Sequence, residues 1–112
     1  MSKDSKANFI LKYGSDTHQD KLVNSKIPEI RVRLAEIGNK RHLDKLADDT
    51  YIGVRKTVAQ HGHKEHLDKL VNDKSDTVRC TIAFRRYRDH YEKLKNDKSE
   101  KVRYFADAYK KI

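Results

Sequence analysis

Residues 42–65 read HLDKLADDTYIGVRKTVAQHGHKE, and residues 66–89 read HLDKLVNDKSDTVRCTIAFRRYRD. The two stretches carry the same or a chemically similar residue at most of their positions, so the chain repeats itself every 24 residues. The same offset connects four histidines and four leucines: His18, His42, His66 and His90, and Leu22, Leu46, Leu70 and Leu94. A fixed period of this size is typical of repeat arrays, whose units pack mainly on their neighbours.

Each unit contains one longer apolar segment with helical spacing. In the third unit, Val78 and Ile82 lie on one helical face, and the pattern predicts a helix that begins near Asp76. Gly38 and Gly62 follow this segment at equivalent positions, which predicts that the helix stops there.

A shorter apolar set comes next in the unit. Leu67, Leu70 and Val71 have helical spacing over about two turns. The predicted unit is therefore a longer helix, a turn, a short helix and a turn rich in Asn and Asp.

The repeat divides the whole chain. Residues 9–14 align with residues 33–38, which indicates an N-terminal half-unit that caps the array. The sequence predicts a single all-α domain over residues 1–112, a short right-handed α-solenoid of about four two-helix repeats plus that cap. The predicted boundaries are 1–17 for the cap and 18–41, 42–65, 66–89 and 90–112 for the repeats.

Two strings carry a resemblance to a known class of repeat. Leu46 to Ala59 reads L-A-D-D-x-x-x-x-V-R-x-x-V-A, and Leu70 to Ala83 reads L-V-N-D-x-x-x-x-V-R-x-x-I-A. The pattern resembles HEAT-like repeats, and its short period is closest to the leucine-rich variant repeat, which alternates α and 3₁₀ helices. The turn between the helices lacks the prolines of that variant, so the short element is open to either helix type. The resemblance covers residues 18–112 and implies a binding scaffold, with DNA-binding members among its relatives.

The resemblance also implies a structural ladder between aspartates and arginines. Asp49, Asp73 and Asp97 each stand six residues before an arginine, and Ser25 replaces the acid of the first unit. The arginines of this series are therefore expected to stabilise the stack rather than to bind a ligand. They are Arg31, Arg55, Arg79 and Arg103.

A second repeated series pairs an acid with a lysine on the short helices. Each lysine directly follows an acid, so we expect a solvated face with little net charge. The pairs are Asp20-Lys21, Asp44-Lys45, Asp68-Lys69 and Glu92-Lys93.

The charge of the chain indicates its class of partner. The formal net charge is +9, with contributions of +1 from residues 1–17 and +3, 0, +2 and +3 from the four repeats in order. Such an excess favours an acidic protein or a nucleic acid as partner. No apolar run is long enough to span a membrane, and the single Cys80 indicates a reducing compartment, so the expected location is cytoplasmic.

No constellation for catalysis or metal binding stands out. Equivalent histidines of stacked helices are at least about 8–10 Å apart, whereas zinc holds each ligand nitrogen at about 2.0–2.1 Å. His61, His63 and His66 cluster in one turn with a weak ligand spacing, and Cys80 has the position of a packing residue. The sequence therefore predicts no enzyme activity, cofactor, metal site or small-molecule substrate.

The strongest site candidate is a departure from the repeat. Residues 60–64 of the second unit, QHGHK, become FRRYR at residues 84–88 of the third. Interleaved arginine and tyrosine residues suit protein hot spots and phosphate contacts alike. With the cations of the equivalent turns, the predicted basic ridge consists of Lys40, Arg41, Lys64, Arg85, Arg86, Tyr87 and Arg88.

These observations predict a non-catalytic binding module. The favoured function is a protein-interaction scaffold or inhibitor that engages an acidic partner through the basic edge. The alternative is sequence-nonspecific binding of DNA or RNA through phosphates. The C-terminal aromatic residues form either a terminal cap or a docking patch, and end-to-end self-association is a further possibility: Tyr104, Phe105, Tyr109 and Ile112 make up this apolar set.

Overall fold

A computed structural model describes residues 3–108, and the side chains from Ser5 onward. This part of the chain consists of helices and the turns between them, without a strand, so the predicted all-α class is confirmed. No helix within it is both long and apolar enough to cross a membrane. The elements are α1 (Lys3–Tyr13), α2 (Asp16–Gln19), a 3₁₀ helix (Asp20–Asn24), α3 (Pro28–Ile37), α4 (Lys40–Leu46), α5 (Ile52–His61), α6 (Lys64–Leu70), α7 (Asp76–Arg85), α8 (Arg88–Leu94) and α9 (Glu100–Ala108).

The long helices pack in chain order. Helix α1 contacts α3, α3 contacts α5, α5 contacts α7, and α7 contacts α9, while each short helix packs on the long helices beside it. The molecule is accordingly elongated, with extents of 49 × 20 × 18 Å.

One continuous apolar core runs through these contacts. Leu34, Val58 and Ile82 occupy equivalent positions on α3, α5 and α7, and each is fully buried. Leu43 and Leu67 are the equivalent fully buried residues of α4 and α6. Complete burial of one such side chain contributes about 1.5–3 kcal/mol. Helices of this length are marginal alone in water, so packing between units stabilises them.

The two glycines predicted to stop helices do so for different reasons. Gly38 ends α3 with φ of 84°, a left-handed conformation that side chains disfavour. Gly62 follows α5 with an ordinary φ of −73°. A Cβ at Gly62 would lie 2.6 Å from the Val58 carbonyl oxygen and 2.9 Å from the His66 Cβ. Gly62 therefore permits a close approach of two helices.

The short element is not the same in every unit. It is an α-helix in α4, α6 and α8, whereas the first unit has the four-residue α2 followed by the 3₁₀ helix. The start of α7 at Asp76 matches the sequence prediction. Tyr109 and Ile112, two of the predicted C-terminal apolar residues, lie outside the described residues.

Candidate binding surface

A row of arginine–aspartate pairs connects consecutive units. Arg55 binds the Asp73 carboxylate with two hydrogen bonds, from Nε to Oδ2 at 2.8 Å and from Nη2 to Oδ1 at 3.3 Å. The two side chains are only 6% and 7% exposed. Two further pairs have the same geometry: Arg31 with Asp49, and Arg79 with Asp97. Bidentate bonds of this kind are the strong, directional form of an ion pair.

The direction of this ladder differs from the simplest sequence reading. Asp73 stands six residues before Arg79, but the hydrogen bond from Arg79 to Asp73 goes to the backbone carbonyl, at 2.6 Å, and not to the carboxylate. The Asp73 side chain binds Arg55, 18 residues earlier, and Oδ1 also accepts the Ser75 N–H at 2.9 Å. One aspartate thus shapes its own turn and joins the preceding unit.

The ladder has unequal ends. In the first unit, Ser25 Oγ accepts the Ile27 N–H at 3.2 Å, so serine keeps the turn without supplying a carboxylate. At the other end, Arg103 Nη1 donates to the Asp97 carbonyl at 2.7 Å, as Arg79 does to Asp73. No carboxylate among the described residues binds the Arg103 Nε and Nη2 groups.

A second row of bonds between units escaped the sequence analysis. His66 is 4% exposed, and its Nε2 lies 2.6 Å from Oδ1 of Asp44, 22 residues earlier. The His63 N–H donates to Nδ1 of His66 at 3.0 Å, so Nε2 carries the proton that Asp44 accepts. Equivalent 2.7 Å contacts recur in two other places: His42 with Asp20, and His90 with Asp68.

These bonds give a structural role to the repeated histidines and to the acids that precede the repeated lysines. Three of the four repeated histidines are buried links between units, whereas His18 of the first unit is exposed. The hydrogen bond from His66 lowers the pKa of Asp44 below its ordinary 3.8, and that from His90 does the same for the pKa of Asp68. The sequence did contain a signal for these contacts, because an aspartate stands 22 residues before each of the three buried histidines.

The lysines of the predicted basic ridge have carboxylate partners. Lys40 Nζ lies 3.2 Å from both Asp44 Oδ2 and Glu65 Oε1. The carboxylate of Asp44, then that of Glu65, raises the pKa of Lys40. Lys64 likewise contacts carboxylates on its own helix and in the next turn: Asp68 at 3.1 Å and Asp89 at 3.4 Å. Consecutive turns therefore lie side by side, with charges of both signs.

Two of the predicted arginines, Arg41 and Arg85, also have structural contacts. Arg41 Nη1 donates to both carboxylate oxygens of Asp20, at 2.9 and 3.0 Å. Arg85 donates to the carbonyls of Ala59, Gln60 and Gly62, each at 3.0 Å. Arg85 thus binds the carbonyl groups that end α5, groups that a helix terminus leaves unpaired.

Arg86 has an unusual backbone. Its φ is 65° and its ψ is 29°, and it is the only non-glycine residue with positive φ among residues 3–108. Gly14, Gly38 and Gly62 occupy the equivalent positions of the preceding units. The left-handed conformation costs a side-chain-bearing residue about 1–2 kcal/mol.

The rest of this turn is half-buried at Tyr87 and exposed at Arg88. The Tyr87 ring is half-buried and lies edge-on to the His90 ring, with 5.6 Å between centroids. Arg88 is exposed at the start of α8, and no carboxylate of the described residues pairs with it. Arg88 and the two residues before it, Arg86 and Tyr87, form a candidate contact surface, hereafter the 86–88 turn.

A metal site at Asp44, Glu65 and His66 and a nucleophilic role for Cys80 both have little support from the geometry. Asp44, Glu65 and His66 bring oxygen and nitrogen atoms within 4.8 Å of one another. The Lys40 ammonium already lies between the two carboxylates, so this set binds a cation of its own chain. Burial raises the pKa of the Cys80 thiol, which disfavours the nucleophilic thiolate.

Comparison of the chain with family models, with curated proteins and with solved structures gives no match.

Proposed function

We propose that this protein is a non-catalytic helical-repeat binding module that engages an acidic protein surface through the 86–88 turn. In this proposal the helices form a short α-solenoid of four HEAT-like repeats. The single buried Cys80 fits a cytoplasmic location.

The observation that carries the proposal is the left-handed Arg86. The equivalent positions of the preceding units have glycine, and one of them, Gly38, has the same left-handed conformation without strain. Local strain that persists in a fold is a reason to look for function at the same place. Arginine and tyrosine are also the residue types that concentrate binding energy at protein interfaces.

The choice of an acidic protein rests on the distribution of charge. Lys40, Lys64 and Arg41 lie within contact distance of carboxylates, so they offer no continuous positive track for a phosphate backbone. A compact cluster of two arginines and one tyrosine fits a local acidic patch better. The net charge of +9 supports nucleic acid as the second candidate.

The test compares two kinds of labelled probe by fluorescence anisotropy at about 50 and 200 mM salt: a short acidic peptide on one side, and short DNA and RNA duplexes on the other. Arg88→Glu should abolish peptide binding. Lys45→Glu makes the same charge change at an exposed residue of α4 and should leave binding near that of the parent.

Three results would count against the proposal. Equal losses for both variants would mean a nonspecific charge effect. Binding of the duplexes that falls steeply with salt, without binding of the peptide, would select the nucleic-acid alternative. No binding of either probe at low salt would remove the 86–88 turn as a site.

A further inference from the structure

The turn before α5 departs from the repeat in three consecutive residues. Residues 51–53 read YIG, where residues 75–77 of the next unit read SDT. The backbone of the two turns is nevertheless the same: φ and ψ are −87° and 122° at Tyr51, and −91° and 126° at Ser75. In both turns the N–H of this residue donates to the aspartate two positions earlier, at 2.9 Å. The turn therefore does not require the side chains of Tyr51 and Ile52.

The departure weakens the start of α5. Helices α3, α7 and α9 each have an acid in the first turn, which is favourable at a helix N-terminus, and α5 has none. Gly53 lies in that turn, and glycine weakens a helix relative to alanine. A Cβ at Gly53 would lie 2.8 Å from Cε2 of the Tyr51 ring. Glycine thus makes room for the tyrosine ring against the start of the helix.

Tyr51 and Ile52 form an exposed apolar surface, hereafter the 51–52 surface. Tyr51 is 45% exposed and Ile52 is 48% exposed. Helix α5 has a long helix packed on each side, α3 and α7, so this exposure does not depend on the ends of the array. Tyrosine is enriched in the cores of protein interfaces, where it packs with other apolar groups. The 51–52 surface therefore has the composition of a docking site.

The groove beside Ile52 carries an excess of positive charge. It has a volume of about 520 Å³, lies beside the starts of α7 and α9, and is lined by Lys74 and Lys98. Both lysines are exposed, and neither ammonium lies within ion-pair distance of a carboxylate of the described residues. The ladder arginines of the groove are bonded to aspartates. The one acid that lines it is Asp76, whose carboxylate accepts the Ser99 hydroxyl at 3.1 Å.

We propose that the 51–52 surface and this groove together dock an extended acidic segment of a partner protein. One bulky apolar side chain of the segment packs on Tyr51 and Ile52, and carboxylates beside it lie along the groove near Lys74 and Lys98. This is a second site, because the 86–88 turn follows the C-terminal end of α7 whereas the 51–52 surface lies at the N-terminal end of α5. It does not depend on the proposed function.

The same features disfavour two other occupants. A phosphate backbone has no apolar side chain to place on Ile52, and it would meet the Asp76 carboxylate in the groove. A second copy that docks through the same surface would bring the unpaired lysines of both copies together, and like charges disfavour that contact. An acidic segment with an apolar side chain complements both the 51–52 surface and the groove.

The test uses the full chain and two short glutamate-rich peptides, one with a central tryptophan and one with a central alanine. Anisotropy of the labelled peptides gives both dissociation constants, and their ratio measures the apolar contact alone. The double variant Tyr51→Ser, Ile52→Asp gives the second unit the residues of the third. Tyr13→Ser, which removes another exposed tyrosine, is the matched control.

We expect the parent to bind the tryptophan peptide about tenfold more tightly than the alanine peptide. The double variant should bind both peptides equally, and Tyr13→Ser should keep the parent ratio. The chain has no tryptophan, so the emission of the unlabelled peptide reports its own burial and should shift to the blue with the parent only. Equal binding of the two peptides by the parent, or a ratio that the double variant keeps, would overturn the inference.

Lys74→Glu tests the groove and should weaken the binding of both peptides by the same factor. Unchanged binding of both would remove the groove from the site. Urea denaturation of the double variant should give a midpoint no lower than that of the parent, since α7 begins with the same two residues. A much lower midpoint would mean that Tyr51 and Ile52 stabilise the fold, which would also overturn the inference.

Three further measurements separate the alternatives. Arg88→Glu should leave the ratio of the two dissociation constants unchanged, so failure of this inference and failure of the proposed function are distinguishable. Sedimentation should show a monomer; a dimer that the double variant dissociates would assign the 51–52 surface to a second copy. Binding of a DNA or RNA duplex that the double variant loses, without binding of either peptide, would assign it to nucleic acid. Either result would overturn the choice of partner.

Discussion

The turns at residues 60–64 and 84–88 occupy the same place in consecutive units but meet different demands. The first has Gly62, which lets α5 and α6 approach closely, and its Lys64 contacts two carboxylates. The second has Arg86 in a strained conformation beside an exposed Arg88. The comparison teaches that residues shared between units hold the stack together, while Arg86 and Arg88, which break the repeat, are exposed.

The largest effect should come from breaking the repeated ladder. Asp73→Ala removes a buried partner of Arg55 and the acceptor of the Ser75 N–H, so we expect the free energy of unfolding to fall by about 3 kcal/mol. Urea denaturation measures the loss. Lys74→Ala, an exposed neighbour in the same turn, serves as the control and should be near neutral.

A smaller effect should separate the glycines by mechanism. Gly62→Ala forces a Cβ against the Val58 carbonyl and the His66 side chain, at a cost of about 1–3 kcal/mol. A Cβ at Gly38 would meet no atom within 4 Å, so the cost of Gly38→Ala, about 1 kcal/mol, comes only from the left-handed φ. A larger loss for Gly38→Ala in thermal or urea unfolding would contradict this assignment.

A substitution in the 86–88 turn should raise the free energy of unfolding instead of lowering it. Arg86→Gly restores the residue that the preceding units have at this position and should raise the free energy of unfolding by about 1 kcal/mol. Equilibrium unfolding, with the Gly38→Ala variant beside it, checks whether the same conformation gives effects of opposite sign at equivalent positions.

The smallest effect concerns pH. In the folded state, Asp44, Asp68 and Asp97 have pKa values below the ordinary 3.8. For Asp97, burial raises the pKa, but the hydrogen bonds from Arg79 and from the Ser99 N–H, with the charges of Arg79 and Lys98, together outweigh it. The folded state therefore binds fewer protons than the unfolded state near pH 4. Stability is complete above that pH and is lost as pH falls through the lowered values. Asp44→Asn should flatten this acid dependence in a stability profile between about pH 2 and 6, and an unchanged slope would exclude the histidine contact as its cause.

The positions of the helices could be predicted well from the sequence because they follow the spacing of the apolar residues. The start of α7, the two helix-ending glycines and the buried leucines all follow from local spacing. The helix type of the short element did not follow, since 3₁₀ and α turns differ little in sequence.

The polar contacts were harder to predict because they join residues 18 or 22 positions apart across units. Position in the sequence suggested that Lys40 and Lys64 were available cations, but neighbouring turns bring Glu65 and Asp89 to them. The arginine-rich turn remains a prediction of function, and its left-handed Arg86 is visible only in three dimensions.

The most direct test of the account measures stability and peptide affinity on one Arg86→Gly preparation. If Arg86 is kept for binding at the expense of stability, the urea midpoint rises and the affinity for the acidic peptide falls. A lower midpoint, or an affinity equal to that of the parent, would contradict the claim that this turn departs from the repeat to bind a partner.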